Sequence, residues 1–232
     1  VSKSWGSTYR NCQFKGGTKS GFLFTRKNHD ATNGAPTYLA GNSWTNCRFT
    51  GGFRTEGLSS HASQGPTDGT LLACSFIDGI LDLANGGGWV LSGCRTFGTN
   101  AGAVFNSPSR GFICANNSFD GSADIIIRSL KPYNFAKIGP GNAYYVPLRV
   151  EFDDDDVAQD FTVEGETFWN NVNITVDAFI LHANDRATKT VISRNNTFRT
   201  ADPHRFVVGN THGVYRVEGG RVANGQTPFG GG

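Results

Sequence analysis

The chain reads as an all-β solenoid, one parallel β-helix of about eight or nine coils over residues 1–232, and three features predict it. First, short motifs ending in an aromatic residue recur: Asn11-Cys12-Gln13-Phe14, Asn46-Cys47-Arg48-Phe49, Ala73-Cys74-Ser75-Phe76, Asn116-Asn117-Ser118-Phe119, Glu166-Thr167-Phe168 and Asn195-Asn196-Thr197-Phe198. Weaker copies, Cys94-Arg95-Thr96-Phe97 and Asn142-Ala143-Tyr144, fill the gap, so the aromatic anchors stand 21 to 35 residues apart. Second, the apolar runs are short and alternate with period two, while stripes of helical period are almost lacking. Third, Gly, Asn, Asp and Ser separate these runs, and the 31 glycines suit corners that need positive φ.

Each repeat then builds one coil. A strand leads into a turn that carries Cys or Asn two residues before the aromatic. The aromatic points inward, a Gly often follows, and a second strand leaves. Phe161-Thr162-Val163, Asp124 to Ile127, Leu148 to Phe152, Val172 to Asp177 and Val214 to Val217 are predicted strands. Coils stack at about 4.8 Å, so equivalent residues form ladders along the axis. The position two before the aromatic reads Cys12, Cys47, Cys74, Asn117, Asn142 and Asn196, with Glu166 as the exception. Stacked Asn side chains bond to the coils above and below, and Cys fills the same slot as a small hydrophobe. The longest excursions, Thr25 to Asn42 and Ser59 to Thr70, carry His29, Tyr38 and His61 and are expected as side loops.

A net charge of +2 with both signs mixed argues against a nucleic-acid-binding stripe. No apolar run is long enough for membrane insertion as a helix. The absence of Met, even at position 1, suggests a fragment or processed product of a longer chain. Five Cys is an odd count without C-x-x-C zinc spacing, and a structural thiol stack is the expected use, with neighbouring coils near disulfide range.

Counting forward from each aromatic, offsets +4, +6 and +8 are apolar in the central coils: Leu148, Val150 and Phe152, then Val172, Ile174 and Val176. Offsets +5, +7 and +9 then face outward, which places Arg128, Asp153 and Asp177 in one column with Arg149 and Glu151 beside them. Carboxylates on adjacent coils suit glycoside hydrolysis, which needs one protonated and one charged carboxyl. Glu151, Asp153 and Asp177 are the candidate catalytic set; Arg128 and Arg149, with Trp169 as a stacking platform, are the candidate substrate-binding set. Tyr145, like Trp169, follows an inward aromatic and should point outward. The same column also suits a solvated sheet that pairs its own charges, or glycan binding without cleavage. Ca²⁺ is the one cofactor considered, at the run Asp153 to Asp156, but consecutive strand residues point apart and EF-hand spacing is lacking. A solvated acidic turn with no cofactor is therefore expected.

The motif column and its spacing resemble the right-handed parallel β-helix of the pectin-lyase-like superfamily, and within it bacteriophage tailspikes, over roughly residues 9 to 222. The resemblance implies a bacterial surface polysaccharide as partner, a homotrimer, and a place in the virion tail after assembly in a reducing host cytoplasm. It leaves open binding alone, hydrolysis, elimination, or a purely structural shaft. A polygalacturonase-like set is rejected. Thr67-Asp68, the acidic run and Thr211-His212-Gly213 follow the right order, but several coils separate them. Arg128 or Arg149 would be the pectate-lyase-like base, with no local motif to support either.

Overall fold

The computed structural model describes residues 6–16, 22–25, 40–56, 67–83, 87–106, 111–128, 137–151, 161–169, 179–182, 190–199, 207–209 and 214–222. Every strand pairing is parallel, and each successive pair comes from neighbouring coils. The chain is thus a parallel β-helix with three strand positions per coil. The first face stacks Thr8–Arg10, Ser43–Thr45, Thr70–Leu72, Val90–Ser92, Ile113–Ala115, Lys137–Ile138 and Phe161–Glu164. The second face stacks Gln13–Lys15, Arg48–Thr50, Ser75–Ile77, Arg95–Phe97, Ser118–Phe119, Ala143–Tyr144 and Thr167–Trp169. The long strand Thr190–Arg199 spans both and joins them into one sheet, and Val214–Val222 pairs beyond it. The third face is an eight-stranded sheet: Phe22–Thr25, Phe53–Glu56, Ile80–Leu83, Gly102–Asn106, Ile125–Arg128, Leu148–Glu151, Phe179–His182 and Val207–Gly209.

Between the first and second faces every coil turns through one left-handed residue. These are Asn11, Asn46, Ala73, Gly93, Asn116, Gly141, Gly165, Asn195 and Gly219, all with φ between +51° and +89°. Asn and Gly tolerate this region; an alanine Cβ crowds the following carbonyl. Ala73, at φ +51°, is the one poor fit. Ala73→Gly is therefore expected to raise stability by about 1 kcal/mol in urea unfolding, and an unchanged midpoint would count against strain at this corner.

The next residue faces inward and ties each coil to the one before. Cys47 Sγ lies 3.6 Å from the Tyr9 carbonyl, Cys74 Sγ 3.4 Å from that of Trp44, and Cys94 Sγ 3.2 Å from that of Leu71. Further along, Asn117 Nδ2 donates to Leu91 O at 3.3 Å, Asn142 Nδ2 to Cys114 O at 2.9 Å and Asn196 Nδ2 to Val163 O at 3.0 Å. The carbonyl oxygens of this ladder also accept from main-chain N–H groups: Cys94 N–H donates to Asn117 Oδ1 and Asn117 N–H to Asn142 Oδ1. Thiols and amides thus satisfy one repeated backbone demand. All five cysteines are free. A hydrogen bond to Cys94 and burial push the Cys74 thiol well up, and burial raises Cys47, so these two thiols stay neutral.

Beside this ladder runs the aromatic core. Phe14 stacks on Phe49 and Phe49 on Phe76, with centroids 4.9 and 5.3 Å apart. Phe119, Tyr144 and Phe168 continue the column at 5.2 and 4.9 Å. A second stack, Tyr9, Trp44 and Trp89, lines the first face. Phe97 departs from the sequence reading. Thr96 pairs with Phe76 and Phe119 and is buried, while Phe97 lies half-buried on the outer side beneath Arg95. The extra residue in that motif shifts the aromatic by one, and strand alternation turns it to the other face.

Candidate functional site

The third face is where the sequence reading places its candidate patch, and the strand register there differs from the expected one. Ile126 lies between Val104 and Arg149, and Arg149 lies beside Ile180. Asn106 pairs with Arg128, and Glu151 pairs with His182. The strand beside Leu148–Glu151 is Phe179–His182, so the strand expected at 172–177 does not occupy that place; those residues lie outside the described ones. A constant offset from the aromatic fails because the linking segments differ in length: the residues in register at the start of the third strand are four beyond Tyr144 and eleven beyond Phe168. Asp153 and Asp177 lie outside the described residues, and only the backbone of Arg128 and Glu151 is described.

Where the third face is described, it pairs its charges. Arg149 Nη2 sits 2.8 Å from Asp124 Oδ2, and Arg54 Nε 3.6 Å from Asp82 Oδ2. Asn106 Nδ2 donates to Asp82 Oδ1 at 3.3 Å. Among the described residues no group of three or more His, Cys, Asp or Glu converges to hold a metal ion. The run Asp153 to Asp156 lies outside them.

The outer side of the second face is different. Strand alternation projects the residues immediately before and after each inward anchor. One column therefore reads Gln13, Arg48, Ser75, Arg95, Ser118, Ala143, Thr167 and Thr197. The neighbouring column contains Lys15, Thr50, Ile77 and Phe97 and, further along, Trp169 beside Arg199. Tyr145 stacks against Trp169 with centroids 5.9 Å apart and planes within 10°. The Arg199 guanidinium covers the Trp169 ring at 4.5 Å from its centroid. Arg95 lies over Phe97 at 5.4 Å and donates through Nε to Ser75 Oγ at 3.0 Å.

Arg48, Arg95 and Arg199 are exposed, and among the described residues none has a carboxylate within ion-pair distance, in contrast to Arg54 and Arg149. Aromatic rings instead orient two of the three guanidinium groups. A planar guanidinium held flat on a ring keeps in-plane N–H donors for a second planar anion. From Arg48 to Arg199 the strip crosses six rungs, roughly 29 Å at strand spacing. Trp169 belongs to this strip, but Tyr145 and Arg199 stack against it, so a ligand meets an oriented cation before a bare ring. The sequence reading found Trp169 and Tyr145 by their place after an inward aromatic. The same rule applied to Phe198 identifies Arg199; Arg95 needed the shifted motif to be recognised.

No protein-family model, curated protein or solved structure matches the chain.

Proposed function

We propose that the chain recognises a bacterial surface polysaccharide, as a β-helical segment of the kind found in phage tailspikes, and that its second face engages the acidic groups of that polymer. The observation that carries this reading is the strip of arginines with no carboxylate partner among the described residues, two of them seated on aromatic rings, on one outer side of a rigid solenoid. An extended polymer of carboxylated sugars offers anionic groups along its length, which suits cations repeated along a straight axis. The third-face set of Arg128, Arg149, Glu151, Asp153 and Asp177 is the alternative contact surface, and the one on which cleavage would reside. A homotrimer belongs to the same reading, and light scattering should return three chains per particle.

Immobilised acidic capsular polysaccharide and its carboxyl-reduced form separate these surfaces. The expected result is binding to the acidic polymer alone, weakening as salt rises. Arg95→Ala and Arg199→Ala should each weaken it about tenfold or more, the range for a lost charge-assisted hydrogen bond. Equal binding to the reduced polymer would remove the reading. Loss of binding or turnover in Glu151→Gln with Asp177→Asn, and not in the arginine variants, would move recognition to the third face.

A further inference from the structure

The inward ladder has one member that cannot perform the ladder's task as an ion. Asn117, Asn142 and Asn196 each donate to the carbonyl of the first-face strand one coil earlier: Leu91, Cys114 and Val163. These carbonyls follow one another in register through Cys114, Ile138 and Val163, so the slot between Asn142 and Asn196 has the Ile138 carbonyl as its acceptor. Glu166 fills that slot and is 1% exposed. Its Oε1 accepts from the Asn142 N–H at 3.3 Å, as an Asn Oδ1 would, and its own N–H donates to Asn196 Oδ1 at 2.9 Å. Its Oε2, the atom left for the role of the amide nitrogen, is buried with no hydrogen-bond partner. An ionised carboxylate has only acceptors, and two oxygens facing each other repel.

We propose that Glu166 is held in the folded chain as a neutral carboxylic acid whose O–H completes the ladder toward the Ile138 carbonyl, so that this rung is a proton-controlled joint between the coil of Tyr144 and the coil of Trp169.

The surroundings favour the neutral form. Two titratable groups face the carboxyl: Cys114 from the first face and Tyr144 from the second. Burial raises both well above their ordinary values, with the Glu166 charge adding to it, so neither ionises before Glu166. The Tyr144 hydroxyl is likewise buried without a partner. Asn142 and Asn196 adjoin from the coils on either side, and Glu164 and Arg194 point to the outer side of their strands. Among the described residues no cation adjoins the group. Burial therefore raises the carboxyl to about 7, with hydrogen bonding from Asn142 pulling it partway back.

The sign follows from linkage. The folded chain binds the proton more tightly than the unfolded chain, whose value is 4.5. Stability from this group is complete below pH 4.5, falls as the pH rises toward 7, and is level above it. The joint lies at the root of Thr167–Trp169, so ionisation loosens the strand that carries Trp169 toward Tyr145 and Arg199. This inference does not depend on the proposed ligand.

The test compares wild type with Glu166→Gln, whose amide keeps the shape and donates at every pH. The folding equilibrium constant of wild type relative to Glu166→Gln should fall nearly a hundredfold between pH 5 and pH 8, from the shift of 4.5 to about 7. Groups elsewhere in the chain cancel in that ratio. Parallel pH profiles for the two proteins would overturn the proposal. Infrared spectroscopy of wild type keeps the test decisive if the variant does not fold. At pH 6 the native protein should show the C=O stretch of a protonated carboxylic acid, and it should disappear by pH 8.5. Amide exchange at Asn142 should quicken over the same interval. A native protein without the acid band at pH 6 would equally overturn the assignment.

Discussion

Phe119→Ala is expected to lower the unfolding free energy by about 3–5 kcal/mol, the range for truncating a fully buried aromatic. The cost should fall at the upper end because of what lies on either side. Phe119 stacks on Tyr144 at 5.2 Å and meets Phe105 edge-on at 6.4 Å. On its other side the register places Thr96, not another ring. The aromatic column is already interrupted there, so removing Phe119 would leave two successive small rungs. Neighbouring rings are fixed by their own stacking, and the strands by their ladders, so the cavity cannot close by a simple shift. Urea unfolding followed by far-UV circular dichroism would show a lower midpoint. Each coil of a solenoid contacts only its neighbours, so weakening this one should also broaden the transition as the two halves lose coupling. A loss below about 1 kcal/mol would contradict a closely packed column.

Gly79→Ala should be nearly as damaging, by about 3 kcal/mol, and for a reason invisible in any list of core residues. A Cβ built at Gly79 would overlap the carbonyl carbon of Gly51 and the nitrogen of Gly52, one coil earlier. Reciprocally, a Cβ at Gly52 would overlap the carbonyl oxygen and nitrogen of Ile80. Both obstacles are backbone, so no rotamer change relieves them, and the coils must separate locally. Separation there strains the register of Phe53 with Leu81 and Arg54 with Asp82. Thermal unfolding should show a reduced melting temperature with an unchanged spectrum below the transition. A variant as stable as wild type would mean that the two corners do not approach as closely as described.

The two substitutions separate what a sequence shows from what packing decides. That Phe49, Phe76, Phe119 and Phe168 lie inside follows from recurrence alone, because a repeated large apolar residue in a solenoid must share one buried column. The Asn and Cys ladder was legible for the same reason. The first Asn of each pair was not recognised as a corner: its left-handed backbone is a property of φ at Asn11, Asn46, Asn116 and Asn195, and side-chain type alone does not distinguish a corner from a ladder rung. Phe97 was misassigned because its motif carries one extra residue, and period-two alternation turns a one-residue shift into a change of face. On the third face the register differs from the expected one because the links are of unequal length: the strand beside Leu148–Glu151 is Phe179–His182, and Asp153 and Asp177 lie outside the described residues.

By itself, then, the sequence determined that this chain is a parallel β-helix with an aromatic column, an amide and thiol ladder, and Trp169 and Tyr145 on the outside. Those follow from period and residue type, which repetition amplifies coil after coil. Only the tertiary structure decided which outward residues meet, because register depends on loop lengths that the repeat does not fix. It paired Arg149 with Asp124 and Arg54 with Asp82, and left Arg48, Arg95 and Arg199 to rings and solvent. It also gave Glu166 its meaning. In the sequence it breaks an Asn series; in the fold it is a buried carboxyl in an amide's place, and burial there makes the proton part of the structure.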